Sequence, residues 1–417
     1  MTAGPDLADL GRRARVAARQ LAVATTLAKD VALRGAGYLL ADRADEVLEA
    51  NAVDLAVAQA LPGTSGTALD RLRLTPARLD AMAHALRHVA ALPDPVGEVT
   101  EGRVMPNGLR VRRVRVPLGV VGVIYENRPN VTSDAAGLCL KSGNVAFLRG
   151  SSTAISSNRV IAGILRESAA KAGLPEDAVL LVDDTSRETA TAFMRLRGVI
   201  DCLIPRGGAS LVQAVIQQAT VPYVIDGDGN CHLYVDAAAD LDMATSIVAN
   251  AKMSRPGVCN AAESLLVHES VAREFLPRVA TALEGVELLG DERTRAILPD
   301  VGAATEADYA TEFLDLKLSV AVVDDIDGAL SHIARYGSGH SEAIITNDLG
   351  AAGRFTRQVD AAAVLVNAST RFVDGAELGL GAEIGISTQK LHARGPMGLR
   401  ELTTLKYVVE GDGQVRL

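Results

Sequence analysis

Cys259 is the residue in this chain best suited to making and breaking a covalent bond. It stands in MSRPGVCNAAES, after a Pro-Gly turn and before an apolar run that reads as a strand. Such a placement can hold a thiol at the edge of a cleft. The thiolate is the nucleophilic form, and it needs a lowered pKa and electropositive neighbours, here Arg255. A lone cysteine is also often a small buried hydrophobe, and the residues by themselves leave both readings open. Cys139, Cys202 and Cys231 fall inside apolar helix or strand patterns, where a core role is preferred. The four cysteines lie far apart with no CxxC pair, so neither a metal site nor a disulfide framework is indicated, and a reducing compartment is expected.

Two further groups of residues could bind or polarise a substrate. In PLGVVGVIYENRPNV an apolar strand runs into Glu126-Asn127-Arg128-Pro129, with a helix expected to start near Ser133. Asn127 and Arg128 then sit at the carboxyl edge of a sheet. An amide there can stabilise an oxyanion, and a guanidinium can grip a phosphate or carboxylate. The plainer alternative is a turn-forming Asn and a surface Arg. Arg149-Gly150-Ser151 and Arg206-Gly207-Gly208 each end a strand and open a helix whose amides could receive a phosphate. Neither is the GxGxxG fingerprint, and Gly turns of this kind are common connections.

The C-terminal third is dense in Gly and hydroxyl residues, in YGSGHSEAIIT, NASTRFVDG, GLGAEIGIST and ARGPMGL, with His340, Arg371 and Glu383 among them. Backbone this bare suggests close approach to a ligand rather than slack connection.

The elements that must position these residues are legible as a pattern. From Asp6 to about Ala60 apolar residues recur at helical spacing, and a second helix is expected from Thr75 as cap and Pro76 in the first turn up to Pro93. Glu98 to Pro117 alternates around Pro106-Asn107-Gly108, which predicts a β-hairpin. The C-terminal TTLKYVVEGDGQVRL is also strand-like, and two exposed edge elements suggest pairing across a subunit interface. From Leu118 to Gly229, ending in PYVIDGDG, strands alternate with helices, and a second alternating series follows from His232. Strict alternation implies parallel sheets covered on both faces, with ligands at the carboxyl ends of strands.

Composition sets the bounds. At 417 residues the chain exceeds one ordinary core, so two or three domains are expected. Hydrophobic residues make up 48% and aromatics 3%, which suits Ala, Val, Leu and Ile packed between helices and a sheet. The net charge of -9, from 42 basic and 51 acidic residues, argues against nucleic acid as a partner. The N-terminus lacks the apolar core of a secretion signal and no run approaches a membrane span, so a cytoplasmic protein is expected.

Taken in order, PLGVVGVIYENRPNV, SRPGVCNAAE, YGSGHSEAI, NASTRFVDGAELGLGAEIGIST and ARGPMGL resemble the gamma-glutamyl phosphate reductases, a family of the aldehyde dehydrogenase superfamily. The likeness spans roughly Pro117 to Lys406. It implies an α/β, aldehyde dehydrogenase-like fold: two Rossmann-like parallel-sheet domains plus a small β oligomerisation element. Residues 1–97 and 118–228 would form the nucleotide-binding domain, 229–395 the catalytic domain, and 98–117 with 396–417 the oligomerisation elements.

The family reaction is NADPH-dependent reduction of L-glutamate 5-phosphate to L-glutamate 5-semialdehyde and phosphate, in proline biosynthesis, through a cysteine thioester. The resemblance makes Cys259 the nucleophile and Asn127 the oxyanion donor. It sets Arg149 near the adenosine ribose, with Gly150, Ser151, Arg206, Gly207 and Gly208 as further cofactor residues, and Glu312 at the nicotinamide ribose. Arg128 and Arg255 are expected at the phosphate, and Ser369, Thr370 and Arg371 at the amino-acid end, with His340 also at the substrate. Hydrolytic relatives place a Glu before two glycines; this chain reads IDGDGN, with Asp226 nearby, which fits acyl transfer to phosphate rather than water. A homo-oligomer is expected, and a complex with glutamate 5-kinase is left open. Two other readings remain: a phosphate-dependent dehydrogenase of a different semialdehyde, and a non-catalytic nucleotide-binding protein.

Overall fold

The computed structural model describes residues 6–61 and 66–416. The start of the N-terminal segment read for a secretion signal, and the final Leu417 of the strand-like tail, lie outside the described residues. Two compact units divide the chain: Met1–Ile225 with Leu380–Gly385 and Met397–Leu417, and Asp226–Gly379 with Ile386–Pro396.

In the first unit, the N-terminal helical pattern resolves into three helices, Leu7–Leu21, Thr26–Asp42 and Ala44–Ala60. Asp6 and Thr25 cap the first two by accepting from the amides of Ala8 and Ala28. Pro76–Ala91 begins as its sequence spells, with Thr75 Oγ1 accepting from the Arg78 amide at 3.2 Å. These helices accompany a four-stranded parallel sheet in the order Val179–Leu181, Val145–Arg149, Val120–Tyr125, Cys202–Arg206. The strand Val120–Tyr125 is buried at every position, as expected of a central parallel strand covered on both faces.

Three expectations change in this unit. The helix after Asn127 starts at Asn130 behind Pro129, not near Ser133, because proline suits a helix start; Ser133 Oγ donates to the Asn130 carbonyl at 2.9 Å. PYVIDGDG forms two isolated bridges, Leu203 to Tyr223 and Asp226 to Ser387, instead of a strand. Pro222 has no amide to give, and the Asp-Gly pairs that follow disfavour extended pairing. The hairpin Val99–Val104 and Arg110–Pro117 forms as read, but the tail strand Thr403–Glu410 pairs with Arg110–Pro117 of its own chain, in register from Thr403 opposite Pro117 to Glu410 opposite Arg110. The two elements thus pair within one chain, in a three-stranded antiparallel sheet with Thr403–Glu410 as an outer strand.

The second unit is built on a seven-stranded parallel sheet. Its order is Gly302–Ala303, Glu287–Gly290, Lys317–Val323, Ala262–His268, Cys231–Val235, Ser341–Ile345, Ala363–Val366. Alternation along the strands sends Leu233, Val235, Leu265 and Val267 to one face, against Val248, Phe275 and Leu276, while Tyr234 and Leu266 face Ile333 and Phe355 on the other. The strands Glu287–Gly290 and Gly302–Ala303 are too short to announce themselves in sequence. Among the described residues no helix is long and apolar enough to cross a membrane.

Candidate active site

Cys259 lies in the segment joining the helix Leu241–Met253 to the strand Ala262–His268. Pro256 stops the helix, since the residue before proline is driven out of the helical region. The turn that follows leaves Cys259 half-exposed, while Cys139, Cys202 and Cys231 are buried. Burial pushes the Cys202 thiol up to about 12 and the Cys139 and Cys231 thiols well above their ordinary value, which disfavours the thiolate at all three.

The backbone around Cys259 is held from several directions. Gly229 is pressed so closely on it that a Cβ at position 229 would overlap the Cys259 carbonyl. The Gly229 amide donates to Glu312 Oε1 at 2.8 Å. Burial pushes the Glu312 carboxyl up, against the hydrogen bond from Gly229. From beneath, the Cys231 thiol donates to the Cys259 carbonyl at 3.2 Å. The next residue, Asn260, donates from Nδ2 to the Val373 carbonyl at 2.9 Å and accepts at Oδ1 from the Arg371 guanidinium. Arg371 also donates from Nε to Ser254 Oγ at 3.2 Å, at the other end of the same segment.

Of the residues expected at the substrate, Arg371 therefore joins the Cys259 segment directly. Ser369 caps it, accepting from the Arg371 amide at 3.3 Å, and Thr370 is fully buried. Arg255 is exposed on the turn. His340 is fully buried behind Cys231, with Nδ1 3.7 Å from the Cys231 sulfur and 2.8 Å from Ser341 Oγ, and burial lowers its pKa to about 4. Its ring packs against the Cys231 sulfur. Asp226 Oδ1 accepts from the Ile386 amide at 2.7 Å.

The remaining expected residues belong to the first unit. Asn127 follows the strand Val120–Tyr125, and its Oδ1 accepts from Ser151 Oγ at 3.0 Å and from the Thr153 hydroxyl. Those donors fix the amide's orientation and leave Nδ2 as its donor end. Arg128 is half-buried. Arg149 ends the neighbouring strand and donates from Nη2 to the carbonyls of Thr185 and Ser186 at 2.6 and 2.8 Å, while its Nε is closed off from solvent without an acceptor. Gly150 lies against the ring of Tyr125 and the Asn158 amide, where a side chain has no room.

The two helix starts expected to receive phosphate already have carboxylate partners. Asp54 accepts from the amides of Ser156 and Ser157 at 3.1 and 2.8 Å, and Glu126 Oε2 accepts from Gly208 at 2.9 Å beside Gly207. Arg206 is half-buried near Asp134, whose carboxyl burial pushes up to about 6 against the hydrogen bonds of Asn130 and Ser133 and the Arg206 charge.

Sequence reasoning did not single out Gly229, Cys231 or Asn260 as supports of the Cys259 segment. Only Asn260 carried a local signal, as a polar residue directly after the cysteine; the other two depend on the strand Cys231–Val235 lying next to Ala262–His268, which is a matter of sheet order.

Residues 14–316 match the aldehyde dehydrogenase family. The chain is 56% identical over 413 residues to the gamma-glutamyl phosphate reductase of Thermobifida fusca, covering 99% of each chain. It is 57% identical over 408 residues to the enzyme of that name from Moorella thermoacetica, covering 97% of each. The crystal structure of gamma-glutamyl phosphate reductase from Thermotoga maritima superposes with a TM-score of 0.97 at 48% identity, over 99% of this chain and 100% of that one. The chain belongs to the aldehyde dehydrogenase family, among its gamma-glutamyl phosphate reductases.

Proposed function

We propose that the chain catalyses the NADPH-dependent reduction of L-glutamate 5-phosphate to L-glutamate 5-semialdehyde and phosphate, the reductive step of proline biosynthesis. The observation that carries this reading is the half-exposed Cys259 on a segment pinned by Gly229, Cys231 and Arg371, in a chain 56% identical to a gamma-glutamyl phosphate reductase along its length. The Cys259 thiolate attacks the acyl carbon, and the carbonyl becomes an oxyanion to which the role of Asn127 Nδ2 is assigned. Phosphate leaves with the electron pair of the broken C–O bond, and a thioester remains on Cys259. NADPH, when bound, supplies the hydride that reduces this carbonyl. Collapse of the resulting hemithioacetal returns the thiolate and releases the aldehyde.

Arg149 is suited to the cofactor's adenosine end, because its buried Nε has no acceptor until a ribose hydroxyl or 2′-phosphate supplies one. Gly150 and Ser151 follow it in the same turn. Arg206, Gly207 and Gly208 join the cofactor set once Glu126 releases the Gly208 amide. Glu312 is assigned to the nicotinamide ribose. For the substrate, Arg128 and Arg255 are assigned to the phosphate and Ser369, Thr370 and Arg371 to the amino-acid end; Thr370, being buried, acts there through its backbone. Asp226 is engaged by a backbone amide, which supports transfer to phosphate over activation of water.

In this reading residues 1–97 and 118–228 bind the nucleotide and 229–395 carry the chemistry. The elements 98–117 and 396–417 mediate a homo-oligomer in the cytoplasm. A complex with glutamate 5-kinase would deliver a labile acyl phosphate directly. A panel of semialdehydes tests the substrate: kcat/KM for glutamate 5-semialdehyde should exceed that for the aspartate and succinate semialdehydes at least about a hundredfold. Equal values would assign the chain to a different semialdehyde.

A further inference from the structure

A buried ion pair spans the two ends of the Cys259 segment. Lys252, in the last turn of the helix Leu241–Met253, donates from Nζ to Glu263 Oε2 at 2.6 Å, and both side chains are fully closed to solvent. Glu263 is the second residue of the strand Ala262–His268. Its other oxygen, Oε1, accepts from the Leu314 amide at 3.1 Å, and its carbonyl accepts from Ser319 Oγ at 3.0 Å. Leu314 holds a left-handed backbone, with φ of 54°, two residues after Glu312, the residue that binds Gly229 against Cys259.

Desolvating two charges costs more than their attraction commonly returns, and an apolar pair of similar volume often matches or exceeds the stability of such an ion pair. Stability alone therefore does not explain a lysine and a glutamate here. What an apolar pair lacks is an acceptor for the Leu314 amide and a fixed distance across the nucleophile's segment.

We propose that the Lys252–Glu263 ion pair is a positioning element for Cys259: it closes the nucleophile's segment at both ends and holds the 312–314 turn that seats Gly229 on the Cys259 backbone. The inference rests on Cys259 being the nucleophile. It adds Lys252 and Glu263 as positioning residues that touch neither substrate nor cofactor.

The test uses the full-length double variant Lys252→Met/Glu263→Leu, with Cys259→Ser in parallel. The double variant should keep or raise its Tm, lose kcat about tenfold or more with KM values within about twofold, and lose iodoacetamide alkylation of Cys259 in step. A stable double variant with wild-type kcat and alkylation rate overturns the inference while an inactive Cys259→Ser leaves the nucleophile reading standing. Activity in Cys259→Ser overturns both. Should the double variant not fold, Glu263→Gln replaces it. That substitution removes the anion facing Lys252 while keeping an acceptor for Leu314; kcat and alkylation should fall together, and values unchanged from wild type would again overturn the inference.

Discussion

Gly229 has no side chain because the carbonyl of Cys259 occupies the space a Cβ would need. Gly229→Ala must push the Cys259 backbone away. A displacement near 1 Å at a reacting group can cost about a hundredfold in rate, so kcat should fall by about that factor, with a lowered Tm. Steady-state kinetics and thermal melts check it; an unchanged kcat would show that the close contact does not set the thiol's position.

The proposed assignment gives Glu312 two functions in one carboxylate. One oxygen accepts from Gly229 at 2.8 Å, and the other is available to the nicotinamide ribose in the proposed assignment. Glu312→Gln retains a carbonyl acceptor for the amide, so Tm and Cys259 alkylation should stay near wild type while KM for NADP⁺ rises about tenfold. A loss of alkylation without a change in that KM would place Glu312 in the loop scaffold alone.

Most strands of both sheets were legible because apolar runs between Gly turns report burial on both faces, as Val120–Tyr125 illustrates, whereas Glu287–Gly290 and Gly302–Ala303 are too short to show such a run. Cys259 and Asn127 stood out as candidates through neighbouring motifs. The scaffold of Cys259 was not legible. Gly229, Cys231 and the Lys252–Glu263 pair act across strands or between distant turns, and sheet order is absent from local periodicity. The burial of His340 was not legible either, since a His after Gly339 in a Gly-rich run resembles a loop residue, whereas it stands in the core directly before the strand Ser341–Ile345. The carboxylates on the two helix starts were equally invisible, since Asp54 and Glu126 reach them over long sequence separations.

His332 gives a pH dependence. Its imidazole is packed among Tyr309, Tyr336 and His232, and burial of the ring lowers its pKa to about 3. The unfolded chain binds a proton near pH 6.5 that the folded chain refuses, so this group's contribution is full above that pH and falls as pH drops toward 3. At pH 5 the loss is about 2 kcal/mol. His332→Phe removes that loss and the unpartnered buried Nε2. The difference in Tm between variant and wild type should be more positive at pH 5 than at pH 7.5, as read by calorimetry; a difference independent of pH would mean His332 titrates normally.

The three-stranded sheet presents exposed Tyr407 and Val409 on its outer strand Thr403–Glu410. Large apolar side chains on an unpaired edge invite another chain. Tyr407→Lys/Val409→Lys should lower the mass measured by light scattering at micromolar concentration, leaving the fold intact by circular dichroism. An unchanged mass would remove this strand from the proposed assembly.

The central claim is that Cys259 carries the acyl group to phosphate. It is tested most directly by following NADP⁺ reduction with glutamate 5-semialdehyde, with and without phosphate, for the wild type and for Cys259→Ser. Wild-type turnover is expected only when phosphate is present, and none above background is expected in the variant at an unchanged Tm. Turnover by the wild type without phosphate would contradict the claim and point to a water-using dehydrogenase; turnover by Cys259→Ser would remove the thioester altogether.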